Sequence, residues 1–393
     1  MPNSFINRTI SGEILASSRE YRVITITGPR QSGKTTLCKK LFPSLPYVNL
    51  EDISTLREVE KDAKRFIANY PDGAVIDEAH NFPDIFSYLQ VEVDKDIFEN
   101  TKKRMFVVTG SSNFALLERI TQSMAGRTAV LTLLPLSIHE LSPGQRALPA
   151  STLTLNGGYP SVWNESVSRG RFFRDYYTTY IERDARKIVN IKDLRAFQTF
   201  MTLCAGRVGT EFNASALSNE VGVTSITINS WLNILAASYI IYLLPPYHEN
   251  IGKRLVKTPK IYFYDTGLAA YLLGIENEEQ FNTHPLRGAL FENMVINEMI
   301  KEQANVGKKN QLYFYRDKSG REIDAIYTKA QYLQAFEIKS AMTYNKNFFK
   351  HLAYLEKLFP GRVSRSAVIY DGTAATPETM EGLYNFRDFR LFG

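Results

Sequence analysis

Eight residues, GPRQSGKT at 28–35, set glycines at the first and sixth places and a lysine and a threonine at the last two. Glycine lets the backbone curl round an anion, so that N–H groups and the N-terminus of a following helix face the negative charge. In the pattern G-x-x-x-x-G-K-[ST], the lysine reaches the β- and γ-phosphates and the hydroxyl ligates Mg2+. Gly28, Pro29, Arg30, Gln31, Ser32, Gly33, Lys34, Thr35 and Thr36 are therefore read as a cradle for ATP with Mg2+. A second stretch, AVIDEAH, ends an apolar run in Asp77 and Glu78. Asp77 there can hold Mg2+ through a coordinated water and Glu78 can polarise the attacking water; an acidic pair capping a helix has the same appearance.

Two further sets of side chains join these. FVVTGSSN places Ser111, Ser112 and Asn113 at a strand end, where they serve either to sense the γ-phosphate or to cap the next helix. SMAGRT brings Arg127, which either reaches a γ-phosphate, in its own chain or from a neighbouring copy, or forms a structural salt bridge. Far downstream, EIDAIYTKAQYLQAFEIKS (322–340) carries Asp324, Glu337 and Lys339 within apolar strand-like runs. Glu337 and Lys339 stand two apart, so both leave the same face of a strand. Chemistry is one reason for such charges and a solvated sheet edge is the other.

These residues need elements to hold them. YRVITIT (21–27) reads as a buried strand before the glycine turn, with a helix over 34–42 after it. Strands are expected at 46–52, 73–79, 103–112 and 129–137, with helices at 55–69 and 84–98 between them. Such alternation predicts a parallel sheet covered on both faces. From 146 to 240 the pattern turns helical and rich in aromatics, read as core packing rather than as a stacking platform. ASALSNEVGV and SITINSWLNILAAS predict two helices with a tight turn, and YIIYLL and PKIYFYD the two strands of a wing. The second helix, 225–237, has no Arg or Lys to reach phosphates or guanine edges, which favours packing over reading of DNA. The segment 281–393 is expected to be a second α/β unit, opening on a helix.

A chain of 393 residues with 44% hydrophobic and 22% charged residues is globular and too long for one core. The net charge of +6 leans toward an anionic partner such as nucleic acid, although the basic residues are spread along the chain. Cys38 and Cys204, the two cysteines, match no zinc spacing and read as buried thiols of a reducing compartment. No apolar run reaches the ~18–20 residues of a membrane span and the N-terminus has no signal pattern, so a cytoplasmic protein is expected.

Taken together, TGPRQSGKTTL, YVNLED, VIDEAH, TGSSNF, MAGRTAVLTLLPLS, GGYP, YIERDARKI, PKIYFYDTGL, GALFENMVINEM and REIDAIY…AFEIKS resemble a known family. They are similar to prokaryotic AAA-superfamily P-loop ATPases that end in a domain of unknown function with a restriction-nuclease-like fold. The resemblance runs nearly end to end. It implies an α/β P-loop NTPase domain of AAA/ASCE type over 1–145, a helical and winged-helix unit over 146–280, and a restriction-endonuclease-like α/β domain over 281–393. In nucleases of the PD-(D/E)xK kind, an acid on one strand and an acid-x-lysine pair on the next converge at the sheet edge. The resemblance places Asp324, Glu337 and Lys339 there and adds Glu292 from LFENMV as the acidic helix position. It implies that Glu292, Asp324 and Glu337 hold one or two Mg2+ ions while Lys339 steadies charge on a scissile phosphate. Superfamily resemblance also implies assembly of several copies. The expected activity is ATP hydrolysis coupled to an arm that binds or cuts nucleic acid; the alternative is a slow nucleotide switch that docks a protein partner.

Overall fold

The computed structural model describes residues 5–99, 104–111, 119–120, 122–164, 167–181, 193–248, 258–372 and 382–392. Ser112, Asn113 and most of YIERDARKI lie outside the described residues.

The first strand, β1 (Val23–Thr27), is the β-branched run VITIT, buried along its whole length. It is followed by β2 (Tyr47–Asn49), β3 (Gly73–Asp77), β4 (Met105–Thr109) and β5 (Thr128–Thr132). Their order across the sheet is β2-β3-β4-β1-β5, and every pairing is parallel. Side chains along a strand alternate between faces, and the two faces here build separate cores. Val23, Ala74, Ile76, Phe106 and Val108 pack with the helices Ile53–Lys61, Ala63–Ala68 and Ile85–Phe98. Ile24, Ile26, Val75 and Val107 pack with the helices Ser11–Glu20 and Lys34–Leu41.

This order puts β4 between β1 and β3, so the C-terminal ends of all three stand side by side. The helix expected at 55–69 is two helices, because Asp62 leaves helical dihedrals (φ −158°) and its carboxylate accepts from Arg65 N at 2.9 Å to cap the second. The strand expected at 129–137 stops at Thr132. The chain then passes directly against the phosphate loop: a Cβ on Gly28 would stand 2.2 Å from the Leu133 carbonyl oxygen. With φ at +141°, that position accepts only glycine without strain.

In the following segment, the helices Ala214–Val221 and Ser225–Ala237 are joined by a turn at Gly222 (φ 78°), and the Thr224 hydroxyl caps the second. After them, β6 (Ile241–Leu244) and β7 (Lys260–Phe263) pair antiparallel. Phe172, Phe173, Phe197, Phe200 and Trp231 are buried, so these aromatics are core. The last sheet has the order β12-β11-β10-β9-β8, where β8 is Leu312–Arg316, β9 Glu322–Lys329, β10 Tyr332–Lys339, β11 Val363–Tyr370 and β12 Leu383–Asn385. Its β8-β9 and β9-β10 pairs are antiparallel and its β10-β11 and β11-β12 pairs parallel. One hydrophobic cluster runs from Leu134 to Leu391 through the long helix Arg287–Asn305. The helical segment and the last sheet therefore share a core. No helix among the described residues is long and apolar enough to cross a membrane.

Candidate functional site

The loop 28–33 leaves β1 and runs into the helix Lys34–Leu41, whose N-cap is Gly33 at φ 95°. Gln31, within the loop, is also left-handed (φ 60°). Lys34 is buried, and its ammonium donates to the carbonyls of Gly28 (3.1 Å) and Pro29 (2.8 Å). Burial pulls its pKa down to about 8 against the attraction of Glu78 and Asp77.

The Thr35 hydroxyl donates to Asp77 Oδ2 at 2.6 Å across 42 residues of sequence. Two more hydroxyls meet the same carboxylate: Tyr47 donates to Oδ2 at 2.7 Å and Thr109 to Oδ1. Tyr47 comes from β2 and Thr109 from β4, the strands that flank β3, so the strand order assembles this cluster. A hydroxyl and a carboxylate 2.6 Å apart, both hard oxygen donors, fit a Mg2+ ion that completes its shell with water and phosphate.

Glu78 is the first residue after β3 and adopts a left-handed backbone (φ 56°). A non-glycine residue held there costs roughly 1–3 kcal/mol and is characteristic of functional positions. Its carboxylate stands 3.0 Å from His80 Nδ1. Burial raises the pKa of Glu78, but the His80 hydrogen bond and the nearby Lys34 ammonium outweigh it and hold the group at about 2. Ser111 Oγ lies 3.4 Å from the same His80 nitrogen, at the end of β4. Lys34, Thr35, Asp77, Glu78 and Ser111 are thus collected at one end of the sheet. Arg127 is placed elsewhere: its guanidinium holds Asp94 through two hydrogen bonds, of 2.5 and 2.9 Å.

In the last sheet, Lys339 Nζ donates to Asp324 Oδ2 at 3.2 Å and to Glu337 Oε2 at 2.5 Å, and Ile338 N donates to Asp324 Oδ2 at 2.7 Å. The strand pair β9-β10 thus brings together the three residues of the EID…EIK pattern. Burial and the Asp324 charge push Glu337 up to about 8, although Lys339 opposes them. Lys339 itself is raised, since two carboxylates outweigh its burial. Glu337 Oε1 accepts no hydrogen bond, and His351 Nδ1 stands 3.5 Å from it.

Glu292 takes its hydrogen bonds from outside this trio. It accepts from the Tyr262 hydroxyl and from Lys260 Nζ at 3.4 Å, and Lys260 also pairs with Glu322 at 2.5 Å. Both partners lie on β7, two residues apart, so one face of that strand captures the helix carboxylate. Burial and Asp324 raise Glu292 to about 7. Among the described residues no group of three or more His, Cys, Asp and Glu side chains is set to hold a metal ion. Lys339 stands between Asp324 and Glu337, and Lys260 holds Glu292.

Comparison with known proteins follows the same division. A family model described as an AAA domain matches residues 20–142. Residues 20–142 are thus similar to an AAA-type P-loop domain. The rest of the chain matches two domains of unknown function, DUF8612 over 150–279 and DUF4143 over 287–386. An uncharacterized protein of Mycobacterium tuberculosis is 29% identical over 358 residues, covering 90% of this chain and 78% of the relative. An uncharacterized protein of Haemophilus influenzae is 26% identical over 253 residues, 59% of each chain. Among solved structures, the Walker-type ATPase PABY2304 of Pyrococcus abyssi aligns at 11% identity and a TM-score of 0.44, over 68% of this chain and 96% of its own. RuvB of Thermotoga maritima aligns at 16% identity and a TM-score of 0.33, over 61% and 89%.

The P-loop sheet holds side chains that motif spacing did not single out. Tyr47 and Thr109 became partners of Asp77 only through strand order, which a single sequence does not display. His80 was visible, two residues past Glu78 in AVIDEAH. Lys260 was visible too, as a cation inside the apolar run PKIYFYD.

Proposed function

We propose that this chain is a Mg2+-dependent ATPase whose P-loop domain binds and hydrolyses ATP. The observation that carries the reading is the contact between Thr35 and Asp77, 2.6 Å, with Lys34 and Glu78 beside it. Lys34 would exchange the loop carbonyls for the β- and γ-phosphate oxygens, a stronger, charged partner. Thr35 and Asp77 would hold Mg2+, which when bound neutralises charge developing on the phosphoryl group. Glu78, held in its ionised form by His80 and Lys34 in the nucleotide-free site, would orient and polarise the attacking water. His80 Nδ1 stands 3.0 Å from the Glu78 carboxylate and 3.4 Å from Ser111 Oγ, so the end of β4 lies beside the place where that water would sit.

For the last domain, the reading is a unit that binds nucleic acid, supported by the resemblance of its EID…EIK strands to a nuclease-like frame and by the net charge of +6. No cleavage step is assigned to it, because its carboxylates are held by lysines. The test is ATP turnover of the full chain with Mg2+ or EDTA, beside Lys34→Ala and Thr35→Ala, with and without single- and double-stranded DNA. Turnover that needs Mg2+ and falls in both variants supports the reading. Turnover unchanged in Lys34→Ala would defeat it. Indifference to DNA would leave the last domain as a dock for a protein partner.

A further inference from the structure

Arg8 lies just ahead of the helix Ser11–Glu20 and is 7% exposed. Its guanidinium makes three contacts with groups far apart in sequence. Nη1 donates to the Ser32 carbonyl at 2.7 Å, Nη2 donates to the Leu134 carbonyl at 2.6 Å, and Nε stands 3.3 Å from Glu140 Oε2. Glu140 in turn accepts from Thr9 N at 2.6 Å and from Ser137 N at 2.9 Å, which fixes it as an anchor. Burying a guanidinium is costly and pulls its pKa down against the Glu140 charge. A cation kept there must serve the groups it holds.

The Ser32 carbonyl is one of those groups, and it belongs to the phosphate loop. In a planar trans peptide the carbonyl and the following N–H point in opposite directions. Drawing the Ser32 carbonyl toward Arg8 therefore turns the Gly33 N–H away from it, and Gly33 is the N-cap of the helix that begins with Lys34. Lys34 meanwhile holds the carbonyls of Gly28 and Pro29. Two cations thus set the carbonyls at both ends of the loop, one of them from outside the motif. Gly33 also packs against this clamp: a Cβ built on it would meet Arg8 Nη1 and Pro160 Cγ, each at 3.9 Å.

We propose that Arg8 is a positioning residue of the nucleotide site: it fixes the Ser32–Gly33 peptide so that the loop N–H groups are pre-set for the phosphates of a nucleoside triphosphate. This rests on the ATPase reading above. Arginine is required because only its planar fork reaches two carbonyls and a carboxylate at once; a lysine ammonium in its place keeps part of the set.

The test measures the dissociation constant for MgATP, by competition with a fluorescent ATP analogue, together with the melting temperature of the nucleotide-free protein. The full chain is compared with Arg8→Ala, Arg8→Lys and Lys301→Met. Lys301 serves as the control because its ammonium donates to the Leu136 carbonyl at 2.8 Å, on the same segment that Arg8 holds but away from the loop. Arg8→Ala weakens MgATP by about tenfold or more, Arg8→Lys recovers part of that loss, and Lys301→Met lowers the melting temperature without changing affinity. If Arg8→Ala does not yield folded protein, Arg8→Lys alone carries the comparison, with weakened MgATP at a melting temperature at or above that of Lys301→Met. Arg8 variants that bind MgATP within about twofold of wild type overturn the proposal, as does equal weakening in Lys301→Met. A wild-type chain that binds no MgATP overturns the ATPase reading itself, a different and separable failure.

Discussion

Glu337 is a buried carboxylate and Glu78 a partly buried one, and their surroundings drive them in opposite directions. Glu78 faces His80 and Lys34 and stays ionised down to about pH 2, whereas Glu337 faces Asp324 across a shared lysine and keeps its proton to about pH 8. A raised carboxyl takes up a proton on folding between its unfolded pKa, about 4.5, and its folded one, so stability falls as pH rises through that window. Glu292, raised to about 7, contributes the same sign over a narrower range. The Glu337→Gln variant should therefore show a flatter decline in urea midpoint from about pH 5 to about pH 8, most clearly above about pH 7, where Glu292 no longer titrates. A decline as steep as that of wild type would contradict the burial assigned to Glu337. At the other site, Tyr47→Phe removes one of three hydroxyls from Asp77. It should cost about 1 kcal/mol by chemical denaturation while leaving the Thr35 contact in place. Sequence showed Glu337 and Lys339 sharing a face, but not that β7 would claim Glu292, because Lys260 and Glu292 meet only in three dimensions.

At the scale of elements, local pattern carried much of the fold. The β-branched runs at 23–27 and 105–109 are strands, and the helix expected at 225–237 is Ser225–Ala237. Local pattern failed where a single polar side chain overrules an apolar period, as at Asp62, which splits one expected helix into two. Asp62→Ala should cost about 1 kcal/mol, the usual value of an N-cap, with the loss seen in exchange of amides in Ala63–Ala68 rather than in the sheet. Strand order was not legible at all. Having β4 between β1 and β3 is a choice among crossovers that a single sequence leaves open, and with it came Thr109 as a partner of Asp77. The rigid frame around the phosphate loop was likewise hidden, since Gly28 owes its necessity to Leu133, a residue 105 positions away.

Across the whole molecule, the exit from the first sheet is fastened to the last domain. Glu298 on the helix Arg287–Asn305 accepts from Ile138 N at 2.7 Å, and Lys301 one turn on pairs with Glu298 at 2.8 Å and donates to the Leu136 carbonyl. Both side chains are nine-tenths buried, so the pair is shielded from water and salt. Lys301→Met leaves a buried carboxylate without its cation and should cost about 3 kcal/mol, read as a lower urea midpoint of the full chain. The account stands first on the claim that the P-loop end of the sheet hydrolyses ATP through Glu78. The direct measurement is MgATP binding and single-turnover hydrolysis by Glu78→Gln beside wild type. Binding within about threefold of wild type with hydrolysis slowed by about a hundredfold or more is the predicted result. Hydrolysis at the wild-type rate in that variant would contradict it.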